Sequence, residues 1–105
     1  QAVAKRLQTE NPDQAIDVAF LEFMTPTLSE AVARMAEQAA DHPLQIDILP
    51  FFIAQGGHLR QEVPVMLAEI QEQHPRVTLR LLPPLGELPS VQDAMAVAIS
   101  HLLKV

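Results

Sequence analysis

The sequence contains no cysteine, tryptophan or tyrosine, and only 3 of its 105 residues are glycine. The absence of cysteine excludes disulfide scaffolds, thiolate zinc sites and cysteine nucleophiles. Aromatic residues for stacking on bases are scarce, since the chain has only 4 phenylalanines. Basic charge is scarce too, with 7 Lys and Arg against 13 Asp and Glu. Because a non-specific nucleic-acid binder carries a basic surface, we expect no nucleic-acid partner.

Long apolar runs are also missing. The longest run, residues 48–54, is far shorter than the roughly 20 residues that a membrane-spanning helix needs. The opening residues do not show a charged leader followed by an apolar stretch and a small-residue cleavage site. We therefore expect a cytoplasmic protein with no membrane partner.

The composition and the regular spacing of three X-Pro pairs indicate a small α/β protein. Apolar residues make up 49% of the chain, which is typical of a globular domain. Asn11-Pro12, His42-Pro43 and His74-Pro75 recur at nearly equal intervals, and each separates a helical pattern from a strand-like one. Because a βα unit takes roughly 30 residues, this spacing predicts one α/β domain over residues 1–105 with a parallel sheet.

Strands are predicted over residues 15–22, 44–52 and 77–82. Their apolar runs show little alternation, which is typical of strands covered on both faces by helices. Pro50 cannot donate a hydrogen bond to a neighbouring strand, so we expect regular pairing to end there.

Four helices are predicted: one before the first strand, at residues 1–8, and one after each strand. Thr27 and Glu30 have the spacing of a capping box, and Ser90 and Asp93 are predicted to be a second capping pair. Pro64 is expected in the first turn of the third helix, where proline is tolerated. The apolar faces of the last three helices are predicted to consist of Leu28, Ala31, Val32, Met35, Ala36 and Ala39; Val63, Met66, Leu67 and Ile70; and Val91, Met95, Ala98 and Leu102.

A ligand site is expected at the carboxyl ends of the strands, where open parallel sheets bind their ligands. The segments that follow the predicted strands are residues 22–26, 53–58 and 83–87, and they contain all 3 glycines. Glycine is needed where the backbone turns tightly or approaches a ligand closely. We therefore expect a cleft along this edge.

Gly56, Gly57 and His58 form the most distinctive of these segments. Two glycines let the backbone approach a flat ligand, and a following imidazole can bind a borderline metal or accept a proton near neutral pH. A surface histidine after a glycine-rich turn is the alternative interpretation. The spacing fits neither a dinucleotide-binding fingerprint nor a phosphate-binding loop.

Two charged residues flank the expected cleft. Glu22 ends the first predicted strand and is either a base or hydrogen-bond acceptor in the cleft or a solvated strand end. Arg60 follows the glycines and is either a bidentate partner for ligand carboxylates or a solvated residue that pairs with Glu62. The other histidines are predicted to be structural or exposed: His42, His74 and His101.

Three segments together resemble a known family: VAFLEFMTPTL at residues 18–28, PFFIAQGGH at residues 50–58 and PLG at residues 84–86. In order and spacing they are similar to the short sirohydrochlorin chelatases. These class II chelatases insert cobalt, nickel or iron into a modified tetrapyrrole for cobalamin, siroheme or coenzyme F430. The resemblance implies a three-layer α/β/α flavodoxin-like chelatase fold and a homodimer. It also implies an enzyme whose substrates are a sirohydrochlorin-type tetrapyrrole and a divalent metal, cobalt first, with no organic cofactor.

The resemblance also implies roles for individual residues. His58 matches the metal-binding histidine, and Glu22 matches a carboxylate that contacts the substrate. Because the macrocycle is anionic and the chain is net acidic, Arg60 is expected to be a local donor to it. The substrate-contacting loop consists of Ile53, Ala54, Gln55, Gly56, Gly57 and His58.

One part of the family pattern has no counterpart in this sequence. The family carries a second histidine in a His-Gly-Ser motif at the end of its first strand. The opening residues here match the family's first helix, so we expect that strand to precede Gln1. A non-catalytic tetrapyrrole- or metal-binding module of the same fold is the alternative hypothesis.

Overall fold

A computed structural model describes residues 2–20, 25–40, 42–51 and 57–104, without the side chains of residues 57–59. The elements are α1 (Ala2–Glu10), α2 (Leu28–Ala39), β1 (Leu44–Ile48), α3 (Gly57–Gln73), β2 (Val77–Leu81) and α4 (Pro89–Leu103), with a 3-10 turn at Leu85–Glu87. β1 and β2 pair as a parallel sheet. This alternation of helices and parallel strands confirms the predicted α/β class. Two compact units divide the chain, Gln1–Leu44 and Gln45–Val105.

In the first unit, α2 begins where the capping pattern predicts. The Thr27 hydroxyl oxygen accepts a hydrogen bond from the Glu30 backbone N–H at 3.2 Å, and the Glu30 carboxylate accepts one from the Thr27 N–H at 3.0 Å. This reciprocal pair is a capping box, which satisfies donors that a helix start leaves unpaired. Ala31 and Val32 are buried on the predicted apolar face. The exposed Arg34 pairs with Asp17 at 3.0 Å.

The capping box makes the start of α2 sensitive to acid. Hydrogen bonds from Thr27, first from its backbone and then from its side chain, hold the pKa of the Glu30 carboxyl below its usual value. Because the folded pKa is the lower one, this carboxylate stabilises the fold above its unfolded pKa. The contribution is lost as pH falls through the folded pKa.

We expect Glu30→Gln to remove this acid-dependent part of the stability. In urea titrations at several pH values, the parent should be more stable than the variant near neutral pH, and the difference should vanish in acid. Thr27→Ala removes the cap itself and should cost about 1 kcal/mol. Glu37→Gln, on the exposed side of the same helix, is the control and should keep the parent's profile. A Glu30→Gln profile that also keeps the parent's shape would contradict the expectation.

The strand predicted over residues 15–22 is not regular in its described part, residues 15–20. Ile16 donates its backbone N–H to the side-chain carbonyl of Gln8 at 3.2 Å. Phe20 makes an isolated parallel bridge with Thr27. The prediction is wrong for residues 15–19 because a strand forms only where a neighbouring backbone pairs with it, and an apolar run does not report that neighbour.

In the second unit, α3 packs on β2 and supplies most of the core. Ile46 and Val77 are buried on the strands, and Val63, Leu67 and Ile70 are buried on α3. The three α3 residues belong to the apolar face that helical periodicity predicts for this helix. The predicted apolar face of the third helix is thereby confirmed.

Gln71 connects the end of α3 to the start of β2. Its side-chain amide donates to the backbone carbonyls of His74 and Val77 and accepts from the Leu79 N–H at 3.1 Å. Because both the NH2 group and the carbonyl of this amide are hydrogen-bonded, the end of α3 is fixed relative to the start of β2. This arrangement places the amino end of α3 along the carboxyl edge of the sheet.

The other side of β1 and β2 carries polar side chains. Asp47 accepts two hydrogen bonds from Arg80 at 2.8 and 3.0 Å across the strands. These bonds, and a weaker one from Gln45, lower the pKa of the Asp47 carboxyl. Gln45, Asp47, Thr78 and Arg80 are exposed. Within this unit the residues of the two strands therefore alternate between core and solvent.

Two predicted helix starts are wrong. Pro64 lies inside α3, beyond its first turn, so the Arg60 carbonyl lacks an i+4 backbone N–H. α4 begins at Pro89 without a side-chain cap, and Ser90 lies within the helix. Proline suits a helix start because its φ is already helical. The predicted Ser90–Asp93 capping pair is thus replaced by a proline start.

α4 is apolar on more than one side. Val91 and Met95 are half-buried, whereas Ala98 and Leu102, which were predicted for the same apolar face, are exposed. The exposed large apolar residues of α4 are Val97 at 60%, Ile99 at 55%, Leu102 at 74% and Leu103 at 80%. Among the described helices, α4 included, none combines the length and apolar character that crossing a bilayer requires.

Candidate functional site

The carboxyl ends of β1 and β2 lie side by side because the strands are parallel neighbours. Beyond β1 the chain leads to α3, and beyond β2 it leads through the 3-10 turn to α4. The Leu82 N–H donates to the Ile48 carbonyl at 2.8 Å, and the Leu85 N–H donates to the Pro50 carbonyl at 2.9 Å. The segments that follow β1 and β2 are thus hydrogen-bonded to each other at the edge where open sheets bind ligands.

The 3-10 turn lies at this edge and is held in place by hydrogen bonds. Gly86 is buried, and its carbonyl accepts a hydrogen bond from the Gln92 side chain of α4 at 3.2 Å. The Glu87 N–H donates to the Pro84 carbonyl at 3.0 Å. The backbone at Glu87 is therefore held both within the turn and through its neighbour Gly86.

His58 belongs to the first turn of α3, since that helix begins at Gly57. The prediction that residues 53–58 form a loop is wrong for Gly57 and His58, whose backbone is helical. The first turn leaves backbone N–H groups unpaired, and the helix dipole makes that end electropositive. The imidazole of His58 lies outside the described residues.

Arg60 lies one turn into α3 and faces a carboxylate of the 3-10 turn. Its guanidinium Nη2 is 3.6 Å from Glu87 Oε2, and the two side chains are 64% and 44% exposed. Exposed ion pairs of this kind contribute under about 1 kcal/mol because water screens both charges. Arg60 is therefore charged, accessible and weakly held at the edge of the sheet.

Sequence reasoning did not single out two residues at this edge, Glu87 and Phe51. Glu87 is the acidic member of the segment after β2, and that position was the available signal. Phe51 follows β1 and exposes 52% of its surface. An exposed ring suits contact with a flat aromatic ligand, although the sequence alone does not show which phenylalanine stays exposed.

Several predicted site residues lie outside the described residues: Glu22, Ile53, Ala54, Gln55 and Gly56. Within the part of the chain that the structure describes, no group of three or more His, Cys, Asp and Glu side chains is arranged to hold a metal ion. His42 and His101 are exposed, and His74 is half-buried just after α3.

Comparison with known proteins gives a consistent result. The CbiX family model matches residues 1–102. The chain is similar to the sirohydrochlorin cobaltochelatase of Methanocaldococcus jannaschii, with 29% identity over 72 residues, which covers 69% of this chain and 48% of the relative. It is also similar to that of Methanopyrus kandleri, with 31% identity over 67 residues, which covers 64% of this chain and 45% of the relative. The chain thus spans about half the length of these curated relatives.

A solved structure extends the likeness to the fold. It is a CbiX protein from Marinobacter aquaeolei, named for cobalamin (vitamin B12) biosynthesis, with a TM-score of 0.76 and 28% identity. The match covers 98% of this chain and 84% of that one. The family predicted from the three sequence segments is thereby confirmed. Since the family model matches nearly every residue, the chain belongs to the CbiX family.

Proposed function

We propose that this chain is a chelatase that inserts a divalent metal into sirohydrochlorin, and that cobalt is its preferred metal. The observation that carries the proposal is the family match over residues 1–102. The names of the relatives from Methanocaldococcus and Methanopyrus support both the tetrapyrrole and the metal. The position of His58 in the first turn of α3, along the carboxyl edge of the sheet, supports a site there.

His58 is proposed to hold the metal and, once the metal has passed to the ring nitrogens, to accept a proton at the nitrogen that held it. Insertion removes two protons from pyrrole nitrogens of the macrocycle and exchanges the ligands of the incoming metal for the four ring nitrogens. A neutral imidazole binds borderline metals, and it also accepts a proton near neutral pH. Few protein ligands suit this task, because a metal held by a closed ligand set would not be released to the ring. Glu22 is proposed as a second acceptor of protons or hydrogen bonds.

The macrocycle is proposed to bind along the edge formed by the ends of β1 and β2. Arg60 supplies a cation for the peripheral carboxylates of the ring. Phe51 supplies exposed apolar surface for its face, and the unpaired N–H groups at the start of α3 add further donors. The substrate-contacting loop is proposed to consist of Ile53, Ala54, Gln55, Gly56 and Gly57.

An insertion assay on the purified protein tests this function. Sirohydrochlorin is mixed anaerobically with Co²⁺, Ni²⁺ or Fe²⁺, and the absorbance of the macrocycle is followed with and without protein. We expect acceleration over the spontaneous rate, with cobalt fastest. A ring that binds but shows no acceleration with any of the three metals would refute the chelatase and support a non-catalytic tetrapyrrole-binding module.

We further propose that the protein is a homodimer in which α4 pairs with its copy. Asp93 and Val97 lie on one face of α4, Lys104 continues that face at the C-cap, and Val97 is 60% exposed. In an antiparallel pair centred between Ala98 and Ile99, Asp93 lies opposite the partner subunit's Lys104. The two-fold axis repeats this pairing, so two Asp93–Lys104 pairs enclose Val97 and Ser100 of each copy.

Val97→Asp should therefore convert the dimer to a monomer. It places a carboxylate between the two Asp93–Lys104 pairs of the proposed contact, where its desolvation opposes association. Light scattering during size-exclusion chromatography should show the mass falling by half. Val65→Asp is the matched control, because Val65 is 59% exposed on α3. A parent that is already a monomer, or a Val97→Asp variant that stays dimeric, would contradict this interface.

A further inference from the structure

A carboxylate of the protein already faces the cation that the proposed function assigns to the substrate. Glu87 Oε2 lies 3.6 Å from Arg60 Nη2, and both side chains are accessible from solvent. A ligand carboxylate that approaches Arg60 therefore meets the negative charge of Glu87 at the same place. Two carboxylates that share one guanidinium repel each other, so binding requires the ion pair to open or to be shared.

The two partners differ in how firmly they are held. Glu87 belongs to the 3-10 turn, whose backbone is tied to the end of β1 by the Leu85 to Pro50 hydrogen bond at 2.9 Å. The same turn is tied to α4 by the bond from Gln92 to the Gly86 carbonyl at 3.2 Å. Arg60 has a long side chain that is 64% exposed. The backbone that carries Glu87 is thus held more firmly than the long side chain of Arg60.

We propose that Glu87 lowers the affinity of this edge for anionic ligands because it competes with their carboxylates for Arg60. When no ligand is bound, Glu87 pairs with the Arg60 guanidinium at the edge of the sheet. A ligand with a single carboxylate exchanges one such contact for another and gains little. A macrocycle with carboxylates around its rim makes further contacts that offset the exchange, so it still binds, with an affinity that Glu87 lowers. This inference rests on the proposed function.

The experiment measures binding of the metal-free ring, separately from insertion. The dissociation constant of uroporphyrin, a ring with carboxylates at every peripheral position, is followed by its own fluorescence at low ionic strength. Four proteins are compared: the parent, Glu87→Gln, Arg60→Gln and the double variant. We expect Glu87→Gln to tighten binding about 5-fold and to lower the KM for sirohydrochlorin with kcat unchanged. Added salt should shrink the gain.

The double variant makes the test specific. If Glu87 acts through Arg60, the gain from Glu87→Gln disappears in the Arg60→Gln background. An equal gain in that background would show a general effect of charge and overturn the proposal. So would binding that is unchanged or weaker in Glu87→Gln. Circular dichroism confirms that each variant is folded before its binding is measured.

Glu10→Gln is the matched control for net charge. Glu10 pairs with Arg6 at 3.3 Å on α1, and both side chains are exposed. The substitution removes the same charge from a similar pair, and it should leave uroporphyrin binding unchanged. If Glu10→Gln also tightens binding, net charge explains the result and the proposal fails. If the parent binds no ring at all, the proposed function fails with it, whereas ring binding without insertion refutes only the chelatase reaction.

Discussion

His58→Ala should lower the rate of cobalt insertion by about 100-fold or more, since a positioned general base contributes at least that much. The free energy of unfolding should change far less than the activation free energy of insertion. The two effects separate because the imidazole is proposed to act on the metal and the pyrrole protons rather than on packing. Initial rates from macrocycle absorbance and urea titrations measure the two quantities.

The matched control for this variant is His101→Ala. His101 lies in the last turn of α4 and is exposed. Its replacement should leave insertion at the parent's rate, and added imidazole should restore part of the activity of His58→Ala alone. Unchanged insertion in His58→Ala would remove His58 from the mechanism. An equal loss in both variants would show that the assay responds to something other than the proposed site.

Ile70→Ala should destabilise the protein by about 3 kcal/mol. Ile70 is 4% exposed on the face of α3 that supplies most of the core of the second unit. Truncation of such a side chain loses its transfer free energy and leaves a cavity that the surroundings fill incompletely. Because small domains have only about 5–15 kcal/mol of stability, the loss is a large fraction of the whole. Urea unfolding followed by circular dichroism measures it.

Val65→Ala on the same helix serves as the comparison for Ile70→Ala. Val65 is 59% exposed, so its truncation should cost less than about 0.5 kcal/mol. Equal costs for the two variants would mean that α3 does not use its Ile70 face as the core. Because His58 and Arg60 belong to the first turn of this helix, loss of α3 packing should also abolish ring binding. Insertion and ring binding should therefore fall together in Ile70→Ala as the temperature rises.

The features that could be predicted from the sequence are those that depend on neighbours along the chain. The Thr27–Glu30 capping box needs only two residues three apart and a helix between them. The buried face of α3 follows from helical periodicity, since Val63, Leu67 and Ile70 recur once per turn. Local geometry determines these features wherever the element lies in the fold.

The features that the sequence did not predict depend on what lies across space. Residues 15–19 lack a regular strand, because pairing requires a neighbouring backbone. Leu102 was predicted to be buried and is 74% exposed, because periodicity indicates which face is apolar and not whether another element covers it. Arg60 was expected to meet ligand carboxylates or Glu62, and its pairing with Glu87 follows from the parallel order of β1 and β2.

By itself, then, the sequence determined the α/β class, the family and the candidate His58, since these depend on composition, periodicity and the order of short segments. Only the tertiary structure decided that α3 begins at Gly57 and that a fixed turn brings Glu87 to Arg60. The physical reason is that residues distant along the chain become neighbours only when β1 and β2 align their carboxyl ends. The charges and hydrogen bonds at that edge exist only in the folded sheet.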